Sequence, residues 1–291
     1  MSSPADRPFR SVLYMPATNE RALAKAATLA CDAVIVDLED AVAPEQKSEA
    51  RKHLKDWFAA RAAKPAATII RINALSSEWG AEDLALARKL EPDGILLPKI
   101  DTPRDILEAG DALDDETAPE TVKLWAMVET PKAVLNLGAI AELGRDPASR
   151  LAGLVAGTND LAKDTGMLMT PDRRYLLPWL MQIVLAARAG GLVALDGVMN
   201  EFRDLHDFGR ECTDGAAMGF DGKTLIHPAQ IEPANKAFSP SEAAVAEARA
   251  IVEAFARPEN AGKGVISLEG RMVERLHLMQ AERLLGRAMR P

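Results

Sequence analysis

Carboxylates stand at the ends of two apolar segments of this chain. Glu129 follows the apolar residues 124–128, and Asp160 comes shortly after the apolar residues 154–156. If both segments are buried parallel strands, their carboxyl ends meet at one rim, where the two side chains lie close together. Two carboxylates that leave positions open for water and substrate oxygens suit Mg²⁺, with Mn²⁺ as a possible substitute, better than Zn²⁺. We therefore expect a divalent-metal site on Glu129 and Asp160.

Other ionisable residues follow other apolar segments. Arg71 comes after Ile69 and Ile70 and is expected at the same rim, where a substrate carboxylate would be its natural bidentate partner. The alternative for Arg71 is an internal salt bridge to an acidic group, which we define as Asp37, Glu39 and Asp40. We expect this acidic group to lie behind the metal ligands, with Arg71, Lys99 and metal-bound waters compensating its charge. Arg71 and Asp37 are the predicted catalytic residues of this part of the chain.

Several more polar residues are expected at the strand ends, and each has a structural alternative. Such a side chain can instead cap the following helix or pair with a neighbouring charge. So many ionisable groups at one rim nevertheless favour a functional site. The further residues expected there are Asn73, Lys99, Asn159, Asp196, Asp221, Lys223 and His227.

Short apolar runs alternate with longer helical patterns along the chain. Eight strands, each followed by a helix, are typical of a closed (β/α)8 TIM barrel. An open doubly wound sheet is the alternative, but no Gly-x-Gly-x-x-Gly motif follows the first strand. The predicted strands are 11–15, 33–38, 68–72, 94–97, 123–128, 153–156, 192–195 and 216–220. The predicted helices are 20–29, 45–62, 81–90, 103–113, 131–143, 171–189 and 201–212.

The chain is longer than eight such units require. We predict a catalytic barrel over residues 1–238 and a helical extension over residues 239–291. The extension should contain a helix at 241–256, a strand-like segment at 265–268 and a final helix at 272–289. A surplus segment of this kind favours a mobile cap, or an arm that covers the active site of a neighbouring subunit.

Composition restricts the classes of partner. The chain of 291 residues carries a formal net charge of −8, which disfavours nucleic acid and anionic membrane surfaces. No apolar run approaches the ~20 residues of a membrane span, and the first ten residues lack a signal-like apolar region, so we expect a cytoplasmic protein. The two cysteines form no Cys-x-x-Cys pair and are expected to be buried thiols. Arg21 and Lys25 lie one helical turn apart and could bind phosphates or form a solvated face.

With these residues in view, the chain resembles the citrate lyase β-subunit and malyl-CoA lyase family. These are the CoA-ester lyases of the HpcH/HpaI aldolase and citrate lyase superfamily, and the resemblance covers nearly the whole chain. The motifs that carry it are RSVLYMP at 10–16, VDLEDAVAP at 36–44, IRIN at 70–73, LPK at 97–99, ETP at 129–131, GTNDL at 157–161 and GFDGKTLIHP at 219–228.

The resemblance implies roles for individual residues. It implies Mg²⁺ on Glu129 and Asp160, and Arg71 binding the substrate carboxylate. It implies CoA near Arg21 and Lys25, over the loop that follows Tyr14 and Pro16. It further implies an acid/base carboxylate in the tail, where the family has Met-(Val/Ile)-Asp and this chain has Met272-Val273-Glu274, with the carboxylate one bond further out.

The reaction favoured on these grounds is a reversible Claisen-type cleavage. A 3-hydroxy-dicarboxyl-CoA such as malyl-CoA or β-methylmalyl-CoA would give a 2-oxo acid such as glyoxylate and an acyl-CoA. Two alternatives stay open, a (3S)-malyl-CoA thioesterase and a citrate lyase β-subunit that acts on a thioester held by a carrier protein. A barrel that only binds metabolites is the non-catalytic alternative. The surplus tail and the resemblance together favour a homotrimer or a hexamer.

Overall fold

The computed structural model describes residues 7–60, 67–115 and 118–288. The chain divides into two compact units, Met1–Asn235 and Lys236–Pro291. The far ends of two predicted helices, at residues 61–62 and 289, lie outside the described residues. Within the described ranges, no helix combines the length and the apolar character needed to cross a bilayer.

The first unit contains a closed barrel of eight parallel strands in sequence order, with the eighth strand paired to the first. This confirms the predicted (β/α)8 architecture. Most strand residues are buried, as expected for strands covered by side chains within the barrel and by helices outside it. The strands are β1 Ser11–Pro16, β2 Ala33–Asp37, β3 Ala67–Arg71, β4 Gly94–Leu97, β5 Lys123–Val128, β6 Leu151–Ala156, β7 Val193–Asp196 and β8 Gly222–Leu225.

Large apolar side chains from successive strands form the principal core of this unit. Trp125 of β5 packs edge-on against Phe9, with ring centroids 4.9 Å apart. The same buried cluster includes Val12, Ile35, Ile69, Leu96, Met127, Val155 and Leu195. This rigid packing fixes the strand ends from which the polar side chains project.

The helices follow the strands at the expected places, with differences in length. The helices of this part of the chain are α1 Glu20–Lys25, α2 Lys47–Ala60, α3 Gly80–Leu90, α4 Pro103–Asp114, α5 Pro131–Leu135, α6 Leu137–Glu142, α7 Thr158–Thr165, α8 Leu177–Gly190, α9 Leu205–Met218 and α10 Ile231–Phe238. The helix predicted at 131–143 is thus divided into α5 and α6. Helix α7 was not among the predicted helices.

The prediction of the eighth strand at 216–220 is wrong. Residues up to Met218 belong to α9, which ends at Gly219 with φ +100°, a backbone conformation that favours glycine. The true strand, β8, contains Lys223, whose charge is buried against Asp196 and Glu211. An apolar pattern could not reveal this strand, because its central side chain is a buried cation.

The start of the sixth predicted helix is also wrong. Helix α8 begins at Leu177 rather than at residue 171, with Pro178 in its first turn. The preceding loop contains Arg173 at φ +50°, a left-handed conformation that interrupts a helix. Its guanidinium donates to both carboxylate oxygens of Asp196, so a tertiary contact holds the backbone out of the helical pattern.

The second unit contains α11 Glu242–Ala256, an antiparallel hairpin of β9 Val265–Leu268 and β10 Arg271–Glu274, and α12 Arg275–Ala288. Glu269 and Gly270 turn the hairpin with positive φ values, as a tight two-residue turn requires. Phe255, Ile266 and Val273 belong to a small apolar core. Residues 272–274 belong to strand β10, and the final helix begins at Arg275. The prediction that this helix begins at residue 272 is therefore wrong.

Candidate functional site

A cavity of about 320 Å³ opens at the carboxyl ends of the barrel strands. Its wall combines ionisable, amide and apolar side chains from β1 round to β8, as is usual for the active sites of this fold. The lining residues are Tyr14, Asp37, Asp40, Ala41, Arg71, Met127, Glu129, Ala156, Gly157, Thr158, Asn159, Asp160, Val198, Asn200, Thr224 and Ile226.

Glu129 and Asp160, the predicted metal ligands, face the same cavity and share one cationic partner. The ammonium Nζ of Lys99 lies 2.5 Å from Asp160 Oδ2 and 3.4 Å from Glu129 Oε2. These two carboxylate oxygens are therefore separated by at most the sum of 2.5 and 3.4 Å, about 6 Å. The Lys99 backbone N–H also donates to Glu129 Oε1 at 2.7 Å. The structure thus brings both carboxylates to one cationic group in the same cavity.

Local backbone geometry places both carboxylates. Glu129 directly follows β5, and Thr130 then caps α5 by accepting from the backbone N–H of Ala133. Asp160 lies in the first turn of α7, where the helix dipole favours an acidic side chain. Gly157 packs closely against Glu129: a Cβ there would lie 2.3 Å from Glu129 Cβ and 2.9 Å from Glu129 Oε2. A side chain at position 157 would displace Glu129.

Burial makes Glu129 an unusual acid. It is fully buried, and this burial raises its pKa to about 8, with the Lys99 ammonium acting in the opposite direction. Burial also acts to raise the pKa of Asp160, but the hydrogen bond from Lys99 holds that pKa below its ordinary value. Glu129 Oε2 accepts no hydrogen bond from the described residues. A buried carboxylate oxygen without a donor, beside a second carboxylate, fits a hard divalent cation such as Mg²⁺.

Arg71 forms a buried ion cluster with Asp37 and Glu39, and the exposed Asp40 lies at its edge; this is the internal alternative considered above. Arg71 donates from Nε and Nη2 to both oxygens of Asp37, at 2.7 and 2.6 Å. Its Nη1 lies 2.8 Å from Glu39 Oε2 and 3.6 Å from Asp40 Oδ2. Burial raises the pKa of Glu39 to about 7, although Arg71 opposes this. Arg71 still lines the cavity, so the internal pairing orients its guanidinium rather than removing it from the site.

Asp37 acts on the backbone as well as on Arg71. Its carboxylate accepts from the N–H groups of Glu39 and Ala41, at 2.9 and 3.1 Å. Both of its oxygens are thus already occupied by donors from Arg71 and from the loop after β2. This places Asp37, predicted to be catalytic, as a residue that positions Arg71.

The residues predicted to bind CoA lie on β1 and the helix that follows it. Tyr14 is on the cavity wall, with the Arg71 guanidinium carbon 5.0 Å from its ring centroid. Pro16 is the last residue of β1. Arg21 and Lys25 are exposed on α1, and neither forms an ion pair with the described residues. Two such cations on an open helix surface are compatible with a phosphate ligand.

Glu274, the predicted acid/base, belongs to the second compact unit. It is the last residue of β10, and its backbone N–H donates to His277 Nδ1 at 2.9 Å. Its role in catalysis remains a proposal.

Two of the residues expected at the rim lie elsewhere. Asp221 precedes β8, and its carboxylate binds Arg188 and the backbone N–H of Ala194 at the amino end of β7. Lys223 is fully buried within β8 and pairs with Asp196. Both residues were expected at the rim because the eighth strand was predicted at 216–220, earlier in the chain than β8 lies.

The other residues expected near the rim have structural partners. Asn73 accepts from the Lys47 ammonium and donates to Asp83. His227 stacks on Phe202 with ring centroids 4.8 Å apart. These contacts fix the loops after β3 and β8.

Some residues of the cavity wall were not recognised from the sequence. Thr158 is buried, and its hydroxyl finds no hydrogen-bond partner in the described part of the chain. Its position beside Asn159 and Asp160 was the available signal. Asn200, in the loop after β7, exchanges two amide hydrogen bonds with Asn159 in the first turn of α7. Asn200 and Val198 lie in an irregular loop, where residue spacing gives no signal.

Known proteins resemble this chain over almost its whole length. A (3S)-malyl-CoA thioesterase of Cereibacter sphaeroides is 47% identical over 281 residues, which are 97% of this chain and 95% of the relative. The citrate lyase subunit beta of Escherichia coli is 33% identical, covering 97% of this chain and 94% of the relative.

A solved structure shows the same family relationship. The crystal structure of CitE from Mycobacterium tuberculosis in complex with magnesium, acetoacetate and coenzyme A has a TM-score of 0.79 and 33% identity. It covers 97% of this chain and 99% of that one. The model of the HpcH/HpaI aldolase/citrate lyase family matches residues 10–228, about three quarters of the chain. This confirms the resemblance seen in the sequence motifs: the chain belongs to the HpcH/HpaI aldolase/citrate lyase family.

Proposed function

We propose that this protein is a Mg²⁺-dependent enzyme that hydrolyses (3S)-malyl-CoA, or a close 3-hydroxyacyl-CoA with a free carboxylate. The supporting observation is the 47% identity to a (3S)-malyl-CoA thioesterase over 97% of the chain. The cavity supports it with two carboxylates and an arginine in one wall. We therefore propose hydrolysis of the thioester rather than the carbon–carbon cleavage that the sequence motifs favoured.

In this proposal, Glu129 and Asp160 hold the metal ion. When bound, Mg²⁺ (or Mn²⁺) supplies Lewis-acid charge for the oxygen atoms of the substrate. Arg71 orients the free carboxylate of the substrate, while Asp37 keeps the guanidinium in place by accepting from its Nε and Nη2. Tyr14 supports the other side of Arg71. These contacts present one end of the acyl group to the metal-binding carboxylates.

CoA is proposed to extend toward α1. Arg21 and Lys25 would attract its phosphate groups, and Tyr14 and Pro16 would border its path into the cavity. The phosphates carry several negative charges, whereas the protein as a whole is acidic with a net charge of −8. A local pair of cations is therefore the physical means of attracting this ligand.

A carbon–carbon lyase is the second candidate. The family membership and the relative named citrate lyase subunit beta favour it. The same metal-binding carboxylates and Arg71 would then bind the 3-hydroxy-dicarboxyl-CoA for cleavage to glyoxylate and an acyl-CoA. If the chain served as a citrate lyase β-subunit, it would require a thioester on a partner carrier protein rather than a free CoA ester.

Residues 239–291 are proposed to act as a cap on the active site of a neighbouring subunit in a cytoplasmic homotrimer or hexamer. Glu274 would then supply the acid/base carboxylate. It stands where the family resemblance implies an aspartate, and its longer side chain moves the carboxylate by roughly 1.5 Å. This change is compatible with a hydrolytic outcome.

Product analysis tests the proposal. Purified protein is incubated with (3S)-malyl-CoA and Mg²⁺, and products are quantified by liquid chromatography and a thiol assay. Hydrolysis predicts malate and free CoA in equal amounts, whereas lyase activity gives glyoxylate and acetyl-CoA without free thiol. Turnover that continues after exhaustive chelation would contradict the metal-dependent mechanism. Absence of turnover on malyl-, methylmalyl- and citramalyl-CoA would contradict the proposed substrate class.

A further inference from the structure

The ammonium of Lys99 occupies the position of a counter-ion between Glu129 and Asp160. It contacts both carboxylates, at 3.4 and 2.5 Å, and Asp160 Oδ2 accepts its hydrogen bond. These are the same two carboxylates that would hold a divalent cation. A second cation at this pair must compete with the ammonium, because like charges at such separations repel strongly in a partly buried site.

The backbone of Lys99 is fixed, but its side chain is less confined. Lys99 has φ +51°, an uncommon conformation for a residue with a side chain, and its N–H is bound to Glu129 Oε1. Its side chain is 33% exposed, whereas that of Glu129 is fully buried. A flexible four-carbon chain on a fixed backbone can move its ammonium without disturbing the Glu129 hydrogen bond.

A second cavity borders Lys99 on another side. Lys99 lines a cavity of about 190 Å³ that shares no lining residue with the larger one. Asp105 and Glu108 also line it; the Asp105 carboxylate accepts from the backbone N–H of Thr102, and Glu108 pairs with Arg104. Lys99 thus lies between the candidate metal ligands and a second cavity away from them.

We propose that Lys99 is a positioning residue that serves as the internal counter-ion of Glu129 and Asp160 and leaves Asp160 when a divalent cation binds. The ammonium then withdraws toward the second cavity, whose lining includes Asp105 and Glu108. This inference rests on the proposed metal site. It makes Lys99 a determinant of metal affinity, since every binding event must break the contact between Lys99 and Asp160.

Isothermal titration of the full chain with MgCl₂, without substrate, tests this inference. Lys99→Met removes the competing charge and keeps a side chain of similar length. Lys163→Met is the matched control, because Lys163 lies 3.8 Å from Asp160 Oδ1 but is 77% exposed on α7. We expect Lys99→Met to bind Mg²⁺ at least tenfold more tightly than wild type, and Lys163→Met to change the dissociation constant less than threefold.

The outcomes separate this inference from the proposed function. Unchanged or weaker Mg²⁺ binding by Lys99→Met overturns the role of Lys99, as does equal tightening in both variants. Absence of Mg²⁺ binding to the wild type would overturn the proposed metal site as well. Crystal structures of the wild type with chelator and with Mg²⁺ give a test independent of variant folding. The distance from Lys99 Nζ to Asp160 Oδ2 should lengthen beyond about 4 Å with Mg²⁺, and an unchanged contact overturns the proposal.

Discussion

Substitution of Gly157 by alanine should disable the site while leaving the fold intact. The new Cβ would lie 2.3 Å from Glu129 Cβ, whereas carbon atoms in contact are about 3.5–4.0 Å apart. Glu129 must therefore move by more than about 1 Å, and a misplacement of this size costs about 10²-fold in a positioned catalytic step. The backbone at position 157 has φ −97°, which alanine adopts freely, so the expected effect is steric.

The matched control is Gly138→Ala in α6, where a Cβ meets no atom within 4 Å. This control should keep full activity and gain about 0.5–1 kcal/mol of stability, because alanine favours a helix over glycine. Steady-state kinetics with malyl-CoA and thermal unfolding of both variants provide the measurements. A Gly157→Ala enzyme with kcat/KM within threefold of wild type would refute the claim that Glu129 must occupy its observed position.

Three further outcomes are expected. Lys47 donates to three buried acceptors at 2.8 Å each. Lys47→Met should therefore lower the free energy of unfolding, measured by denaturant titration, by about 3 kcal/mol. The control Lys52→Met, at an exposed position, should leave it unchanged. Burial raises the pKa of Glu129 from 4.5 to about 8, so between these two pH values the folded chain keeps a proton that the unfolded chain has lost, and the free energy of unfolding decreases as pH rises. With chelator present, the melting temperature should therefore fall between about pH 5 and 8, and an equal fall in Glu129→Gln would contradict this. Arg71→Lys keeps the charge but loses the planar fork, so KM for malyl-CoA should rise about tenfold at similar kcat; an unchanged KM would show that Arg71 does not hold the substrate.

The fold was largely predictable because most barrel strands have one simple signal. Strands such as β2 and β5 are apolar on both faces, so a nearly continuous run of apolar residues marks them in the sequence. Strand β8 lacks this signal because Lys223 is buried there by ion pairs with Asp196 and Glu211. Those partners lie 27 and 12 positions away along the chain, beyond the reach of a local pattern.

The candidate site was predictable where chemistry follows a strand directly. Glu129 and Arg71 were found in this way, because the end of a barrel strand fixes the direction in which the next residues project. The contact between Lys99 and Asp160 depends on a left-handed backbone at Lys99, which residue type does not indicate. Asn200 was missed because its loop has no periodic pattern, and only its pairing with Asn159 shows that it borders the cavity.

Anomalous diffraction from crystals soaked in Mn²⁺ tests the central claim most directly. We predict a peak in contact with carboxylate oxygens of both Glu129 and Asp160, and its loss in the Glu129→Gln variant. A second group of possible ligands, the outward-facing Asp204, His206 and Asp207, provides an internal comparison. A peak at that group alone, or no density between Glu129 and Asp160 at saturating Mn²⁺, would contradict the proposed metal site.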